Sequence, residues 1–286
     1  MTSSKFQILV PLEFTTQSAA VFNQACRIAQ IYDAAITVLH VVENEAAYLH
    51  HYNVNSKTDL IQKIDNELKE FVKTELAFSK IIVSCRIEFG EIAHNVLSIQ
   101  EKENYQMIVL GFNDLKNPLQ KQIGSNAYSV IKQAKCQVIA IKKSYQSGEF
   151  KSIILPLDLT KPYGRKVEKV IELAKSWKGS IVTVISVLPQ CDELKVNAAT
   201  NQLAAIVREI EGSQVKCNAE IIRMVKGRES TADIIADYAH RIKSEMVMMI
   251  ARQDESNVKR LGLAAQGIIN SVDIPILSIV PLVNQN

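Results

Sequence analysis

The stretch Ile8-Leu-Val-Pro-Leu-Glu-Phe-Thr15 returns as Ile153-Ile-Leu-Pro-Leu-Asp-Leu-Thr160, with Pro11 and Pro156, Glu13 and Asp158, and Thr15 and Thr160 at matched places. A second copy of one motif far along the chain constrains the fold more than any local propensity, because each copy must belong to the same structural unit. Further landmarks keep their order. Thr37-Val-Leu-His-Val-Val42 parallels Thr183-Val-Ile-Ser-Val-Leu188, Gly90 parallels Gly227, Met107-Ile-Val-Leu-Gly111 parallels Val247-Met-Met-Ile-Ala251, and Gln137-Val-Ile-Ala-Ile141 parallels Pro275-Ile-Leu-Ser-Ile279. The offset is 145 at the first landmark and 137 to 140 at the last three, so small loop changes account for the drift. With 286 residues, the chain divides into two domains of ordinary size, 1–143 and 151–286, joined by the polar link Ser144 to Phe150.

Each copy holds short runs rich in Val and Ile without strict alternation, the pattern of strands buried on both faces. Helical periods lie between them. Val167, Val170, Ile171, Ala174 and Trp177 form one apolar stripe, and Ala19, Phe22, Cys26 and Ala29 form its counterpart. Thr15 and Thr160 stand where side-chain oxygens could cap the helices that follow. Five strands with helical crossovers per copy predict an α/β fold: two tandem open parallel five-stranded sheets with helices on both faces. The ligand crevice of such a sheet lies beyond the C-terminal strand ends, at the point where the strand order reverses.

Composition narrows the function. The apolar fraction of 47% with 22% charged residues belongs to a globular chain. Ile8 to Leu12 is too short for a signal-peptide core and no eighteen apolar residues run together, which points to the cytoplasm and away from a membrane. Five scattered cysteines, Cys26, Cys85, Cys136, Cys191 and Cys217, read as free thiols. A net charge of +3 without a basic run argues against nucleic acid as a partner.

These residues resemble the universal stress protein family, whose first strand ends in hydrophobic-Pro-x-Asp-x-Ser/Thr and whose second carries a His-Val pair, here His40-Val41. In nucleotide-binding members the fourth strand leads into Gly, two residues, Gly, nine residues and Gly-Ser or Gly-Thr. The first copy reads Gly111-Phe-Asn-Asp114, nine residues, then Gly124-Ser125, with Asp114 in place of the second glycine. By resemblance, Pro11, Leu12, Glu13, Val41, Gly111, Asn113, Gly124, Ser125 and Asn126 are the candidate adenine-nucleotide residues of the first copy. In the second, Asp158 keeps the family's Asp and Gly262 falls at the position of Gly124, while Ala251 and Asp254 replace the first two glycines. The resemblance implies ATP, ADP or AMP as ligand, with or without Mg²⁺, and pairing of the fifth strands, which would make the chain its own pseudo-dimer and leave a homodimer open.

A glycine loop binds phosphate by turning backbone N–H groups inward. Asp114 opposes it: a carboxylate about 5 Å from a phosphate costs roughly 3 kcal/mol at an effective dielectric near 20, or about a hundredfold in affinity. Lys116 and Lys121 in the same loop, or a bridging Mg²⁺, would offset part of that. The alternative reading of Gly111 and Gly124 is a tight strand exit and a helix start, that of Glu13 and Asp158 is helix capping, and that of His40 is a satisfied core histidine. Walker-type, G-x-G-x-x-G, G-x-S-x-G and H-E-x-x-H signatures do not occur, so the expectation is a non-catalytic protein with no metal site. Its rivals are a nucleotide-free interaction module and a slow ATPase.

Overall fold

The computed structural model describes residues 5–14, 18–76, 80–112, 124–142, 145, 148–188, 193–224, 230–250 and 263–279. Among the described residues two compact units divide the chain, with the second beginning at Gly148.

In the first unit the order is β1 (Gln7–Pro11), α1 (Ser18–Tyr32), β2 (Ala35–Val42), α2 (Glu45–Tyr52), α3 (Lys57–Leu76), β3 (Val83–Phe89), α4 (Ile92–Lys102), β4 (Met107–Phe112), α5 (Ser125–Gln133) and β5 (Gln137–Lys142). All pairings are parallel and the strand order is β3-β2-β1-β4-β5. The order reverses beside β1, because β1 continues outward to β2 while β4 lies on its other edge. Right-handed crossovers then place α1 and α3 on one face and α4 and α5 on the other, and the helices pack in those pairs.

The second unit repeats the plan with β6 (Ser152–Pro156), α6 (Gly164–Ser176), β7 (Ile181–Leu188), α7 (Glu193–Gly212), β8 (Lys216–Arg223), α8 (Thr231–Arg241), β9 (Met246–Ile250), α9 (Leu263–Ser271) and β10 (Ile276–Ile279). Its strands are again parallel, in the order β8-β7-β6-β9-β10. The α/β class and the parallel sheet expected from the sequence are present in both units. The repeat extends to single bonds: Leu12 N–H donates to the Leu39 carbonyl at 2.9 Å, and Leu157 N–H to the Ile185 carbonyl at 2.8 Å.

Local sequence explains several boundaries. Asn44 accepts from Ala47 N–H at 3.0 Å to start α2, and Asn53 ends it with φ of 50°. Ser230 and Asp233 form a reciprocal capping box on α8. Gly90, with φ of 112°, turns the chain from β3 into α4, a conformation that favours glycine. Leu60, Ile64, Leu68 and Val72, four residues apart, are the buried seam of α3, while Lys63, Glu67 and Lys69 face solvent.

Three expectations change. Thr160 does not cap a helix: α6 begins only at Gly164, and the Thr160 hydroxyl donates instead to Asp158 at 2.6 Å. In the α6 stripe Leu173, not Ile171, is buried with Val167, Val170 and Ala174, because a position three or four residues from both Val170 and Trp177 points inward. Phe150, read as the end of a polar link, is 1% exposed and packs on Trp177 with ring centroids 5.0 Å apart. The first unit has the matching pair, Phe6 on Tyr32 at 4.8 Å, where the aromatic at the end of the first helix again closes over the residues leading into the first strand. Met246, Met248 and Met249 are core, as their strand context predicts. No helix among the described residues is long and apolar enough to cross a membrane.

Candidate functional site

At the reversal point of the first unit, between the C-terminal ends of β1 and β4, lies an open cleft with a cavity volume of about 90 Å³. At a water's share of liquid volume, about 30 Å³, that is room for about three waters. Pro11, Leu12 and Glu13 from the end of β1, Val41 from β2, Gly111 from β4 and Asn126 from α5 all line it. Six of the nine candidate residues, spread along the sequence from Pro11 to Asn126, are thus brought together.

Two more candidates are described but do not line the cleft. Gly124 precedes α5 with φ of −55°, and nothing lies within 4 Å of a Cβ placed on it, so neither backbone strain nor crowding within the described residues demands glycine there. Ser125 is the exposed first residue of α5. The ninth, Asn113, lies outside the described residues with Asp114, Lys116 and Lys121, as do Thr15, Gly227, Ala251, Asp254, Gly262 and Cys191.

The cleft also has walls that the motif comparison missed. Val21 of α1, Ile92 and Val96 of α4, and Ala127 and Val130 of α5 supply apolar surface. Their signal was helical spacing: Ile92 and Val96 stand four apart, Ala127 and Val130 three apart, each near a helix start that follows a strand end. The polar groups are Glu13, Ser18 and Asn126. Ser18 donates its hydroxyl to the Glu13 carbonyl, tying the start of α1 to the end of β1. The mixture of apolar walls and a few polar groups suits an aromatic base with a hydroxylated appendage.

Gly111 is required by packing. A Cβ added there would stand 2.8 Å from Cγ2 of Val21, so close approach of α1 to β4 is what the missing side chain permits.

His40 supports the cleft from the opposite face of β2. Its Nδ1–H donates to the Leu12 carbonyl at 3.0 Å, so both backbone polar groups of Leu12 are engaged. The ring is 2% exposed under Phe14, at 4.5 Å between centroids, and Tyr48, at 5.7 Å. Nε2 has no hydrogen-bond partner among the described residues, which corrects the expectation of a fully satisfied core histidine. Burial pushes the imidazole pKa down, against the opposing pull of the Leu12 bond and of Glu13 and Glu67. A histidine whose folded pKa lies below its unfolded value binds its proton more readily when unfolded, so its contribution is complete above the ordinary value near 6.5 and is lost as pH falls below it. Urea denaturation should therefore show wild type losing stability between pH 7.5 and pH 5.5. His40→Gln should lose less over that interval, and an equal loss in both would show that His40 is not responsible.

The second unit's candidate, Asp158, is engaged locally. It accepts from Thr160 N–H at 3.1 Å and from the Thr160 hydroxyl, and Lys161 stands at 3.4 Å. Partial burial works against its charge, but the Thr160 bonds and the lysine outweigh it and hold the carboxyl below its ordinary pKa. Four cysteines are free as expected: Cys26, Cys85, Cys136 and Cys217. Burial raises the thiols, Cys26 and Cys136 to about 12 and Cys217 to about 11, which makes them packing residues rather than nucleophiles.

The parallel sheet, its reversal point and the position of the cleft coincide with the match of residues 6–142 to the universal stress protein family. The first unit, residues 6–142, belongs to that family. Universal stress protein A homolog 1 of Coxiella burnetii is 29% identical over 137 residues, spanning 47% of this chain and 94% of that protein. Both units together are similar to a universal stress protein crystal structure from Archaeoglobus fulgidus, with a TM-score of 0.70, 16% identity and 96% of each chain covered. A functionally unknown protein from Pseudomonas aeruginosa PAO1 is similar over 97% of this chain and 93% of its own, with a TM-score of 0.64 and 16% identity. At that identity the two structures speak for the fold. The family match covers the first unit by sequence, whereas the second shares its architecture and the internal repeat.

Proposed function

We propose that the first unit binds an adenine nucleotide in the cleft between β1 and β4, holds it without turning it over, and thereby changes what the protein associates with in a cytoplasmic stress response. The observation that carries this reading is the convergence of Pro11, Leu12, Glu13, Val41, Gly111 and Asn126 on one cleft at the reversal point of the sheet. The apolar walls suit the base, and Glu13, Ser18 and Asn126 suit the sugar and its first phosphate. The glycine-spaced loop of universal stress proteins, kept here except for Asp114, supplies the argument for a nucleotide rather than another heterocycle.

Calorimetry with AMP, ADP and ATP, with and without Mg²⁺, tests the proposal. One nucleotide should bind per chain, and Ala127→Phe, which fills the cleft from α5, should weaken binding by about tenfold, the effect of about 1.4 kcal/mol. Absence of heat at millimolar nucleotide would favour the nucleotide-free interaction module. Phosphate release that Ala127→Phe suppresses would replace simple binding with a slow ATPase. Regulation of association predicts that immobilised full-length chain retains a different set of proteins with nucleotide than without it.

A further inference from the structure

Because Nδ1–H of His40 donates to the Leu12 carbonyl, the neutral ring carries its proton on Nδ1 and presents a bare lone pair at Nε2. That atom is buried and has no hydrogen-bond partner among the described residues. A neutral nitrogen tolerates such a place at modest cost. A protonated one would be an N–H and a charge with no acceptor. The fold itself does not call for the histidine. Ser186 takes its place in the repeat of the second unit, buried and with an unpartnered hydroxyl, and the strand-end bond from Leu157 to Ile185 forms all the same.

Two groups cover the His40 ring, Phe14 and Tyr48. Phe14 directly follows Leu12 and Glu13, which line the cleft, so this cover and that wall are one segment. Tyr48 belongs to α2, a helix with no buried residue. Beyond Tyr48, that helix is held by surface contacts: the Tyr52 hydroxyl donates to Glu67, Lys63 donates to the Tyr52 carbonyl at 2.8 Å, and Lys57 pairs with Glu45 at 3.2 Å. Water can reach a protonated Nε2 only if Phe14 or α2 moves aside, and so lightly anchored an element opens at small cost.

We infer that His40 is a proton-sensitive latch: neutral, it fixes the Leu12–Glu13 wall and seats α2 through Tyr48, and on taking up a proton it releases both and weakens the cleft for its adenine ligand. The effect on the cleft rests on the adenine-nucleotide reading above, whereas the release of α2 does not. The titratable and charged groups around the ring are Glu13 after β1, Glu43 after β2, Tyr48 and Tyr52 of α2, and Glu67 and Lys63 of α3. Burial holds the imidazole below its ordinary value near 6.5, while the Leu12 bond, Glu13 and Glu67 pull the other way. The fold therefore favours the neutral ring, and the latch opens as pH falls below that ordinary value.

Hydrogen exchange of the ligand-free full chain, corrected for its intrinsic pH dependence, tests the latch. In wild type, peptides containing Leu12 to Phe14 and those of α2 should lose protection by about tenfold between pH 7.5 and pH 5.5, while those of β7 and β8 keep theirs. His40→Gln, neutral throughout and still able to donate to Leu12, should show no such loss, and neither should His40→Ser, which matches the second unit. Glu67→Gln should move the loss to lower pH, because it removes a carboxylate that favours the imidazolium. Calorimetry with adenosine tests the cleft, since a nucleotide's own phosphate titrates near pH 6 and would confuse the result. Adenosine affinity should fall by about fivefold or more over the same interval in wild type and stay level in His40→Gln. Equal protection at both pH values in wild type, or the same loss in both His40 variants, would overturn the latch. A level adenosine affinity in wild type would overturn its hold on the cleft. No adenosine binding at pH 7.5 would count against the nucleotide reading alone, and exchange in α2 would still decide the latch.

Discussion

Phe150→Ala is expected to destabilise the second unit by about 3–5 kcal/mol, the cost of deleting a buried aromatic side chain. Phe150 is 1% exposed, and its ring lies 5.0 Å from that of Trp177 with an interplanar angle of 33°. Its backbone sits at φ of 56°, a region that bulky residues rarely enter. The packing of the ring must therefore exceed the backbone cost of putting it there, about 1–2 kcal/mol for a residue with a Cβ. This gives an ordering of variants: Phe150→Gly, which loses the same ring but relaxes the backbone, should be less destabilised than Phe150→Ala. In a regular strand or helix the ordering would be reversed. Trp177 is the only tryptophan, so its fluorescence in a urea titration reports on the second unit directly. A loss below about 1 kcal/mol for Phe150→Ala, against the expected range for such truncations, would remove the ring from the core.

Phe150 also shows where sequence reading fails. Its neighbours Ser147, Gly148 and Glu149 make the segment polar, and one apolar residue in such a setting has no periodicity to mark it. The strands were legible for the opposite reason. Runs such as Met107 to Leu110 are buried along their whole length, and burial on both faces needs continuous apolar sequence. The crevice could be placed because strand order and crossover handedness leave few topologies for alternating strands and helices. The residues at strand ends were found through their motif. The helix residues that face them were not, since Ile92 or Val130 looks like any other apolar position of an amphipathic helix until the fold turns it toward the cleft. Thr160 was misplaced as a cap because the loop between β6 and α6 runs to Tyr163, and loop length is weakly encoded by composition.

Gly111→Ala is expected to cost about 1–3 kcal/mol, the usual penalty for overfilling a packed site, and to distort the cleft as it does so. The new Cβ would stand 2.8 Å from Cγ2 of Val21 and 3.9 Å from the Ile141 carbonyl. Val21 is β-branched and lies in α1, where one χ1 rotamer dominates, so its methyl cannot swing clear and the helix must move instead. Both residues line the cleft, and a shift of α1 against β4 therefore changes the binding surface together with the stability. Val21→Ala removes the opposing methyl. The double variant Gly111→Ala/Val21→Ala should accordingly be more stable than the sum of the single effects by about 1 kcal/mol or more, the coupling expected of residues in contact. Had Gly111 served only to let a phosphate approach the backbone, Gly111→Ala would weaken nucleotide binding with no loss of stability in the ligand-free protein, and the double variant would show no rescue. The second unit carries a natural counterpart of the experiment in its sequence: Ala251 stands at the sequence position of Gly111, and Lys166, which has no branch at Cβ, at that of Val21. The glycine and the branched residue change together, as a steric requirement between α1 and β4 predicts and a requirement of the phosphate alone does not.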